Sequence, residues 1–247
     1  MKALIPKGKE LAMAGDCFGC HSLPTGGMGA GGVPITVPFG TIYSTNITPD
    51  KTYGIGNYTR ADFHRALKDG IGQQGNLYPA MPFVFTHLTT TDDLDALYAY
   101  MMSIPALPVP NQKNTGVFDL PIRPFLNFWT LLNFPDRTEI INSERSDAWN
   151  RGAYLVEGLA HCGACHTPTN FMMGTEFDKS LSGAVMGEIA IPDITAPTLA
   201  QNGYTVQSLT RYLHTGISAQ GASFGGMNTV THFSTSQMVE ADVAAIA

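Results

Sequence analysis

The chain has 247 residues, of which 44% are hydrophobic and 14% charged, and its formal net charge is −6. A chain of this length forms one or two domains, and this hydrophobic share supports a packed core, which excludes an intrinsically disordered protein. The acidic balance also excludes a nucleic-acid-binding surface, which needs clustered Lys and Arg.

The first predicted element is a helix that leads into a functional motif. Residues 7–16 are rich in helix formers and place Leu11 and Ala14 on one face. The run Cys17-Phe18-Gly19-Cys20-His21 then has the C-x-x-C-H pattern that attaches c-type haem. The two thiols lie on one turn of chain and can bond to two vinyl groups of a porphyrin, while the adjacent histidine offers a nitrogen to the iron.

The chain carries a second copy of this motif, Cys162-Gly163-Ala164-Cys165-His166. Zinc sites and thioredoxin-like enzymes also use C-x-x-C, and the histidine after each pair favours haem over a four-cysteine zinc site or disulfides. All four cysteines of the chain lie in the two motifs. We therefore predict two covalent haems c with these attachment and iron-binding residues: Cys17, Cys20 and His21, then Cys162, Cys165 and His166.

After the first motif, the sequence predicts a loop and two helices. Residues 25–40 are rich in Gly and Pro and predict a loop. Thr59 is a typical N-cap for a helix over 60–68. Thr91 and two acidic residues begin another helix, which we expect to reach about residue 102.

The chain is an internal repeat. At a shift of 146 residues, 58–71 aligns with 204–217, and the two motifs align at a shift of 145. This match indicates duplication of a whole domain. We predict a mainly α, loop-rich fold with tandem haem domains at 1–105 and 146–247, joined by an extended, aromatic-rich linker over 106–145.

Smaller features also recur. Gly152 lies opposite Gly8, and these glycines predict either a close helix crossing or a frayed helix. Asn46-Ile47-Thr48 is echoed by Asp193-Ile194-Thr195. The second copy ends inside its predicted last helix, over 240–246, and we expect a continuation there.

The sixth iron ligand decides the chemistry of each haem. Met81 and Met227 lie 64 and 65 residues after the first cysteine of their motifs. A methionine thioether is a familiar axial partner of histidine in cytochromes c and raises the reduction potential. We predict Met81 and Met227 as axial ligands, with core packing as the ordinary role of a methionine. His87 and His232 also align, so a bis-His site is the alternative.

Arg65 and Arg211 recur at the same repeat position. A guanidinium can bind a haem propionate through two parallel hydrogen bonds. We predict this role for Arg65 and Arg211, with a solvated helix face as the alternative.

The predicted linker contains a dense apolar stretch over 118–134. One interpretation is that this stretch packs across the two haem domains. The other is that it forms an apolar patch for a partner subunit or a membrane surface.

These patterns resemble the multihaem cytochrome c subunit of bacterial membrane-bound periplasmic dehydrogenases, which oxidise alcohols, aldehydes, sugars or sugar acids. The resemblance rests on residues 15–21, 38–50, 54–56 and 78–82 in the first half. In the second half it rests on the motif at 162–166 and on Gly226-Met227.

The resemblance implies class I cytochrome c domains with two axial pairs, His21 with Met81 and His166 with Met227. It also implies that electrons pass from a dehydrogenase catalytic subunit through the haems towards ubiquinone or another haem domain. The family usually has three motifs and a C-terminal membrane anchor. We therefore expect either a further domain and membrane association after residue 247, or a two-haem relative.

The leading functional hypothesis is an electron-transfer subunit without a substrate site, because no nucleophile–base pair, phosphate loop or carboxylate pair is recognisable. The alternatives are a dihaem cytochrome c peroxidase and a haem sensor, both of which need an open or differently ligated iron. Haem attachment to C-x-x-C-H in bacteria requires export, so we predict a periplasmic protein, peripheral to the inner membrane. Residues 1–6 have only a short apolar patch, and we expect any leader to have been removed.

Overall fold

A computed structural model describes residues 2–137 and 140–247. About 46% of it is helical with little sheet, which confirms the predicted mainly α, loop-rich fold. Met1 of the first predicted domain and residues 138–139 of the predicted linker lie outside the described residues.

The first half contains five helices and two short antiparallel hairpins among its described residues. In chain order they are α1 (Ile5–Ala14), α2 (Cys17–His21), β1 (Pro34–Val37), β2 (Gly40–Tyr43), α3 (Arg60–Asp69), β3 (Ile71–Gly72), β4 (Gly75–Asn76), α4 (Phe83–Thr86) and α5 (Thr91–Met101). Strand β1 pairs with β2, and β3 with β4. A short 3-10 turn, Lys2–Leu4, precedes α1.

A segment with one α-helix, α6 (Leu126–Asn133), separates the halves. Two 3-10 turns come before it, Gly116–Asp119 and Arg123–Phe125.

The second half repeats the order of the first and has one additional helix, α9 (Ala196–Gln201). Its elements are α7 (Asp147–Tyr154), α8 (Gly163–His166), β5 (Ala184–Met186), β6 (Ile189–Ile191), α9 (Ala196–Gln201), α10 (Val206–Thr215), β7 (Ile217–Ser218), β8 (Gly221–Ala222), α11 (Gly226–Phe233) and α12 (Glu240–Ile246). Strand β5 pairs with β6, and β7 with β8. A π-helical turn, Leu155–Leu159, follows α7, and 3-10 turns lie at Phe177–Lys179 and Thr235–Gln237.

Each half is closed by a close crossing of its first and last helices, α1 with α5 and α7 with α12. A Cβ atom on Gly8 would lie 1.9 Å from the carbonyl oxygen of Ala96, and one on Gly152 would lie 1.9 Å from that of Ala245. Only a residue without a side chain fits there. The recurring glycines therefore mark close crossings, and the frayed-helix interpretation is wrong.

The middle helices of the halves begin and end in the same way. The Thr59 hydroxyl accepts from the Asp62 amide, and Thr205 and Ser208 form the equivalent capping box. Gly70 and Gly216 end these helices in the left-handed region, at φ 66° and 74°. The predicted helix over 60–68 is thus confirmed as α3.

The two halves share one hydrophobic core. Leu94 of the first half is buried in the same cluster as Leu155 and Val243 of the second. At its edge, the Asp93 carboxylate accepts from the Tyr154 hydroxyl at 2.7 Å and lies 2.6 Å from the Lys7 ammonium. Helices α1, α5 and α7 are therefore held together across the repeat.

The segment between the halves contacts both of them. The Trp129 ring packs edge-on against Phe83, and its Nε1 donates to the Met172 carbonyl at 2.8 Å. The Phe134 ring stacks on Phe83, at 6.2 Å between centroids. One face of the apolar stretch thus packs across the halves, and the other face is exposed at Phe125, Phe128, Leu131 and Leu132.

No helix among residues 2–137 and 140–247 combines the length and hydropathy needed to cross a membrane.

The helix crossings give a stability prediction. Gly8→Ala should lower the free energy of unfolding by about 1–3 kcal/mol through overpacking, although alanine favours a helix by up to ~1 kcal/mol. Urea denaturation followed by far-UV circular dichroism measures this change. Gly226→Ala is the matched control, because a Cβ there meets nothing within 4 Å. A Gly8→Ala protein as stable as wild type would contradict the close crossing.

Candidate functional site

Both C-x-x-C-H motifs lie on short helices that are entered through the same unusual turn. The residue before each motif, Asp16 or His161, is in the left-handed region, with φ 48° and 41°. Such values are uncommon for residues other than glycine. The turn bends the chain between the first helix of each half and the motif helix, α2 or α8, so the motifs have matching backbone settings. Sequence reasoning aligned these two residues but did not predict their conformation.

The histidines of the two motifs are oriented by the same type of hydrogen bond. Nδ1 of His21 lies 2.6 Å from the Thr45 carbonyl oxygen, and Nδ1 of His166 lies 2.8 Å from that of Pro192. A carbonyl only accepts, so Nδ1 carries the proton and the Nε2 lone pair is left for a metal. Metal-binding histidines are usually held in this way.

Matching turns present these two carbonyls. The Asn46 Oδ1 accepts from the Thr48 amide at 2.9 Å and from its hydroxyl at 2.7 Å. The Asp193 Oδ1 accepts from the Thr195 amide at 2.7 Å and from its hydroxyl at 2.6 Å. Each Asx-turn directly follows the residue whose carbonyl binds the motif histidine. The correspondence of Asn46-Ile47-Thr48 with Asp193-Ile194-Thr195 was visible in the sequence. Asn and Asp are the residues that form Asx-turns, so this correspondence was the signal from which the two matching turns could have been predicted.

The cysteines have the properties of attachment residues rather than of redox-active thiols. Among the residues that the structure describes, all four are free of disulfides. Burial raises the pKa of the Cys17 and Cys162 thiols to about 12. Reactive C-x-x-C cysteines have lowered pKa values, and the pKa values of these two thiols shift in the opposite direction.

A zinc site does not fit. Within residues 2–137 and 140–247, no three His, Cys, Asp or Glu side chains converge as metal ligands. Burial lowers the pKa of the His21 and His166 imidazoles, while their carbonyl partners act in the opposite direction. The neutral ring that a metal requires is therefore favoured at neutral pH.

Covalent haem c fits this donor set. Each motif offers two free thiols one helical turn apart and a neutral imidazole with Nε2 available. The bound group would supply one-electron redox chemistry, which none of these side chains supplies alone.

The two methionines predicted as axial ligands lie in different backbone settings. Met81 is in the turn between β4 and α4, where its amide donates to the Tyr78 carbonyl at 2.9 Å and its own carbonyl accepts from Phe83 at 2.8 Å. Met227 lies in the first turn of α11, after Gly225. Both side chains are half-buried. Their axial role stays a prediction.

The predicted propionate ligands lie on solvated helix faces. Arg65 is about half exposed on α3 and lies 3.4 Å from the Asp62 carboxylate, one turn away. Arg211 is exposed on α10. These surroundings match the alternative interpretation, and the propionate role stays a prediction.

The histidines of the bis-His alternative also differ from each other. His87 Nε2 lies 2.8 Å from the Arg137 carbonyl, and its ring contacts Phe134. His232 is exposed on α11. Iron binding through Nε2 would require His87 to give up this carbonyl partner, whereas its buried Nδ1 has no hydrogen-bond partner among the described residues.

The halves cover each other's motifs reciprocally. Helix α4, which follows Met81, places Phe85 against Gly163, where an added Cβ would lie 2.9 Å from the ring. Helix α11, which carries Met227, packs against α2. The Ser234 hydroxyl also donates to the Ala14 carbonyl at 3.5 Å. The two motifs are therefore neighbours inside one packed unit, which the sequence did not predict.

Comparison with known proteins agrees with these features. Residues 5–105 match the family model described as cytochrome c. The chain is 40% identical to the fructose dehydrogenase cytochrome subunit of Gluconobacter japonicus, over 98% of this chain and 51% of that protein. It is also 40% identical to the gluconate 2-dehydrogenase cytochrome c subunit of Pantoea cypripedii, over 99% of this chain and 58% of that protein.

The chain thus spans about half the length of these two relatives. A dihaem cytochrome c-type protein of Cereibacter sphaeroides is 32% identical over 98% of this chain and 83% of its own length. From the motif geometry and these matches, the chain belongs to the cytochrome c family, in the group that includes the cytochrome subunits of fructose, gluconate and alcohol dehydrogenases.

Proposed function

We propose that this chain is the electron-transfer subunit of a dehydrogenase complex and that it carries two haems c in tandem class I cytochrome c domains. The first domain would occupy 1–105 and the second 146–247, with the linker over 106–145. The observation that carries the proposal is the repeated imidazole–carbonyl bond, at His21 and at His166. The same metal-ready geometry occurs twice, at matching positions in the repeat.

Each residue type has a distinct task. The four cysteines attach the two porphyrins, and His21 and His166 bind the irons through Nε2. The carbonyl bond to Nδ1 fixes each ring and makes it a stronger ligand. Met81 and Met227 would complete the two coordination spheres and raise both potentials. Arg65 and Arg211 would contact propionates if their side chains turn towards the porphyrin edge.

The reciprocal packing supports electron transfer between the two sites. Phe85 lies against the second motif and α11 lies against the first, so the redox centres would be close and shielded by protein. For one electron, each ~59 mV of potential difference gives a tenfold bias. Small differences between the halves, such as Asp16 in one and His161 in the other, are therefore enough to favour electron transfer in one direction between the two haems.

The proposed partner is a dehydrogenase catalytic subunit, and the acceptor is ubiquinone or another haem domain. The relatives named as dehydrogenase cytochrome subunits support the partner. The haem attachment chemistry supports a location in the periplasm, and the resemblance to subunits of membrane-bound dehydrogenases supports a position peripheral to the inner membrane. The dihaem peroxidase alternative gains no support from the motif geometry or from these relatives.

The haem number is the first test. The purified protein should contain two haems, seen as two haem masses added to the intact chain and two equivalents in the pyridine haemochrome assay. Replacing Cys17 and Cys20 by alanine should leave one haem. Replacing Cys162 and Cys165 instead is the matched control and should leave the other. A wild-type protein with one haem or none would refute the proposal.

The axial methionines give a second test. Met81→Ala should remove about half of the near-infrared methionine-to-iron band and lower one of the two potentials, because a thioether ligand raises the potential. Met227→Ala should remove the other half. Met28→Ala is the control, since Met28 is 48% exposed and has no counterpart in the repeat. Loss of the whole band in either single variant would contradict independent ligation.

The Asx-turns predict a pH difference between the halves. Hydrogen bonds from Thr195 lower the pKa of Asp193 from its ordinary value of 3.8. A lowered folded-state pKa stabilises the fold above pH 3.8, and this contribution is lost as the pH falls through the folded value. Asn46 does not titrate. Acid titration of the methionine-to-iron band should therefore show the second site failing at higher pH than the first.

Asp193→Asn is the matched variant, because it keeps the acceptor oxygen at every pH. It should remove the difference between the two sites. Equal acid sensitivity of wild type and variant would show that this turn does not hold the Pro192 carbonyl in position against His166.

A further inference from the structure

Large apolar side chains are exposed on α6, just before it, and on the loop that is hydrogen-bonded to it. Phe125, Phe128, Leu131 and Leu132 occupy an arc of roughly 120° at 100° per residue. They are 76%, 61%, 79% and 56% exposed. Phe171, from the loop after the second motif, is 96% exposed. We call these five residues the α6 patch.

The loop that carries Phe171 is fixed to α6. Asn170 Nδ2 donates to Asn133 Oδ1 at 2.8 Å, and Trp129 Nε1 donates to the Met172 carbonyl at 2.8 Å. The Asn170 Oδ1 accepts in turn from the amides of Met172 and Gly174. Phe171 is thus presented outward by a bonded turn, and a surface held in place in this way loses little entropy on binding.

The α6 patch is at the upper end of what a monomer exposes and is large enough to form the apolar centre of a protein interface. Five large apolar side chains with these exposures offer on the order of 600 Å². A monomer rarely exposes a contiguous apolar patch beyond ~300–600 Å², and a standard protein interface buries ~800 Å² per partner.

The charge pattern argues against a lipid surface. Helices that lie on membranes carry Lys and Arg on their polar face. Residues 124–134 contain no charged side chain, and no lysine occurs between Lys113 and Lys179. Of the flanking arginines, Arg123 donates to the Asn76 carbonyl at 2.6 Å and Arg137 is paired with Glu157 at 2.9 Å. The net charge of −6 would also repel anionic headgroups.

The position of the α6 patch indicates which protein it binds. Helix α6 is attached on both sides of the Met81 turn, because Asn127 Oδ1 accepts from Asn76 at 2.9 Å and Trp129 packs on Phe83. A protein docked on α6 therefore lies next to the segment predicted to close the first iron site. A protein that exchanges electrons with the first site needs this position, and a second copy of the chain does not. Among such redox partners, a dehydrogenase catalytic subunit is the one that the names of the relatives support.

We infer that the α6 patch is the docking surface for the catalytic subunit of the dehydrogenase, through a complementary apolar and uncharged area on that subunit. This inference rests on the proposed function and adds the contact surface. A charge-depleted, aromatic-rich centre is the usual composition of an interface core.

The test compares the tagged full-length protein with a double variant, Phe128→Ser with Leu131→Ser, in the organism that makes it. The probe is the dehydrogenase that copurifies with wild type, identified by its peptides and by dye-linked substrate oxidation. The variant should bind this dehydrogenase at least about tenfold more weakly, since truncation of central interface residues costs ≥ 1.4 kcal/mol. Val206→Ser, at a 60% exposed valine on α10, is the matched control and should bind like wild type.

Two further measurements test the alternative occupants of the α6 patch, which are a second copy of the chain and a lipid surface. The isolated wild type should sediment as a monomer, and it should not float with phosphatidylglycerol–phosphatidylethanolamine vesicles. Self-association or vesicle binding that the double variant abolishes would overturn the inference. Equal haem content in all variants checks that they fold.

The outcomes also separate this inference from the proposed function. If a dehydrogenase copurifies equally with wild type and double variant, the α6 patch is not the docking surface, and the proposed electron-transfer function is unaffected. If none copurifies with haem-loaded wild type, both are wrong.

Discussion

The bond between a motif imidazole and a backbone carbonyl is the constraint on which the rest of this structure depends. It fixes which ring nitrogen carries the proton, and so it leaves Nε2 free to bind a metal at His21 and at His166. The carbonyl must be held at the correct distance from the ring, and an Asx-turn does this in each half. The hairpins, capping boxes and helix crossings around it hold the turn and the motif helix in fixed positions relative to each other.

The two halves share this geometry and build it from different residues. Asn46 and Asp193 build the same turn from an amide and a carboxylate, and Asp16 and His161 adopt the same left-handed conformation. The halves differ before this left-handed residue, because α1 is a regular helix in the first half and a π-helical turn follows α7 in the second. The backbone arrangement is therefore shared, while the side chain next to each motif differs, a carboxylate at Asp16 and an imidazole at His161. Such differences can give two similar centres different potentials.

The sequence predicted the elements that depend on local pattern. Capping residues located α3, and the repeat located its counterpart α10. The correspondence of Gly8 with Gly152 allowed either a close crossing or a frayed helix, and only the structure, in which a Cβ at either position would overlap a backbone carbonyl, decides for the crossing. The sequence did not predict the carbonyl partners, since every residue has a carbonyl and only the fold selects Thr45 and Pro192. The reciprocal cover of the motifs was also missed, because it depends on contacts between residues more than 70 positions apart, such as Phe85 and Gly163.

The segment between the halves shows why one apolar stretch supported two interpretations. A helix has more than one face. In α6, Trp129 and Asn133 form hydrogen bonds to the loop of the second half, while Phe128 and Leu131 are exposed to solvent. Composition alone cannot divide these roles, because aromatic and aliphatic residues suit both a core and an interface. The inward contacts tie α6 to the segments that flank Met81, so the outer surface is fixed relative to a predicted iron ligand. A partner that binds there is placed relative to the redox site by the same packing that joins the two halves.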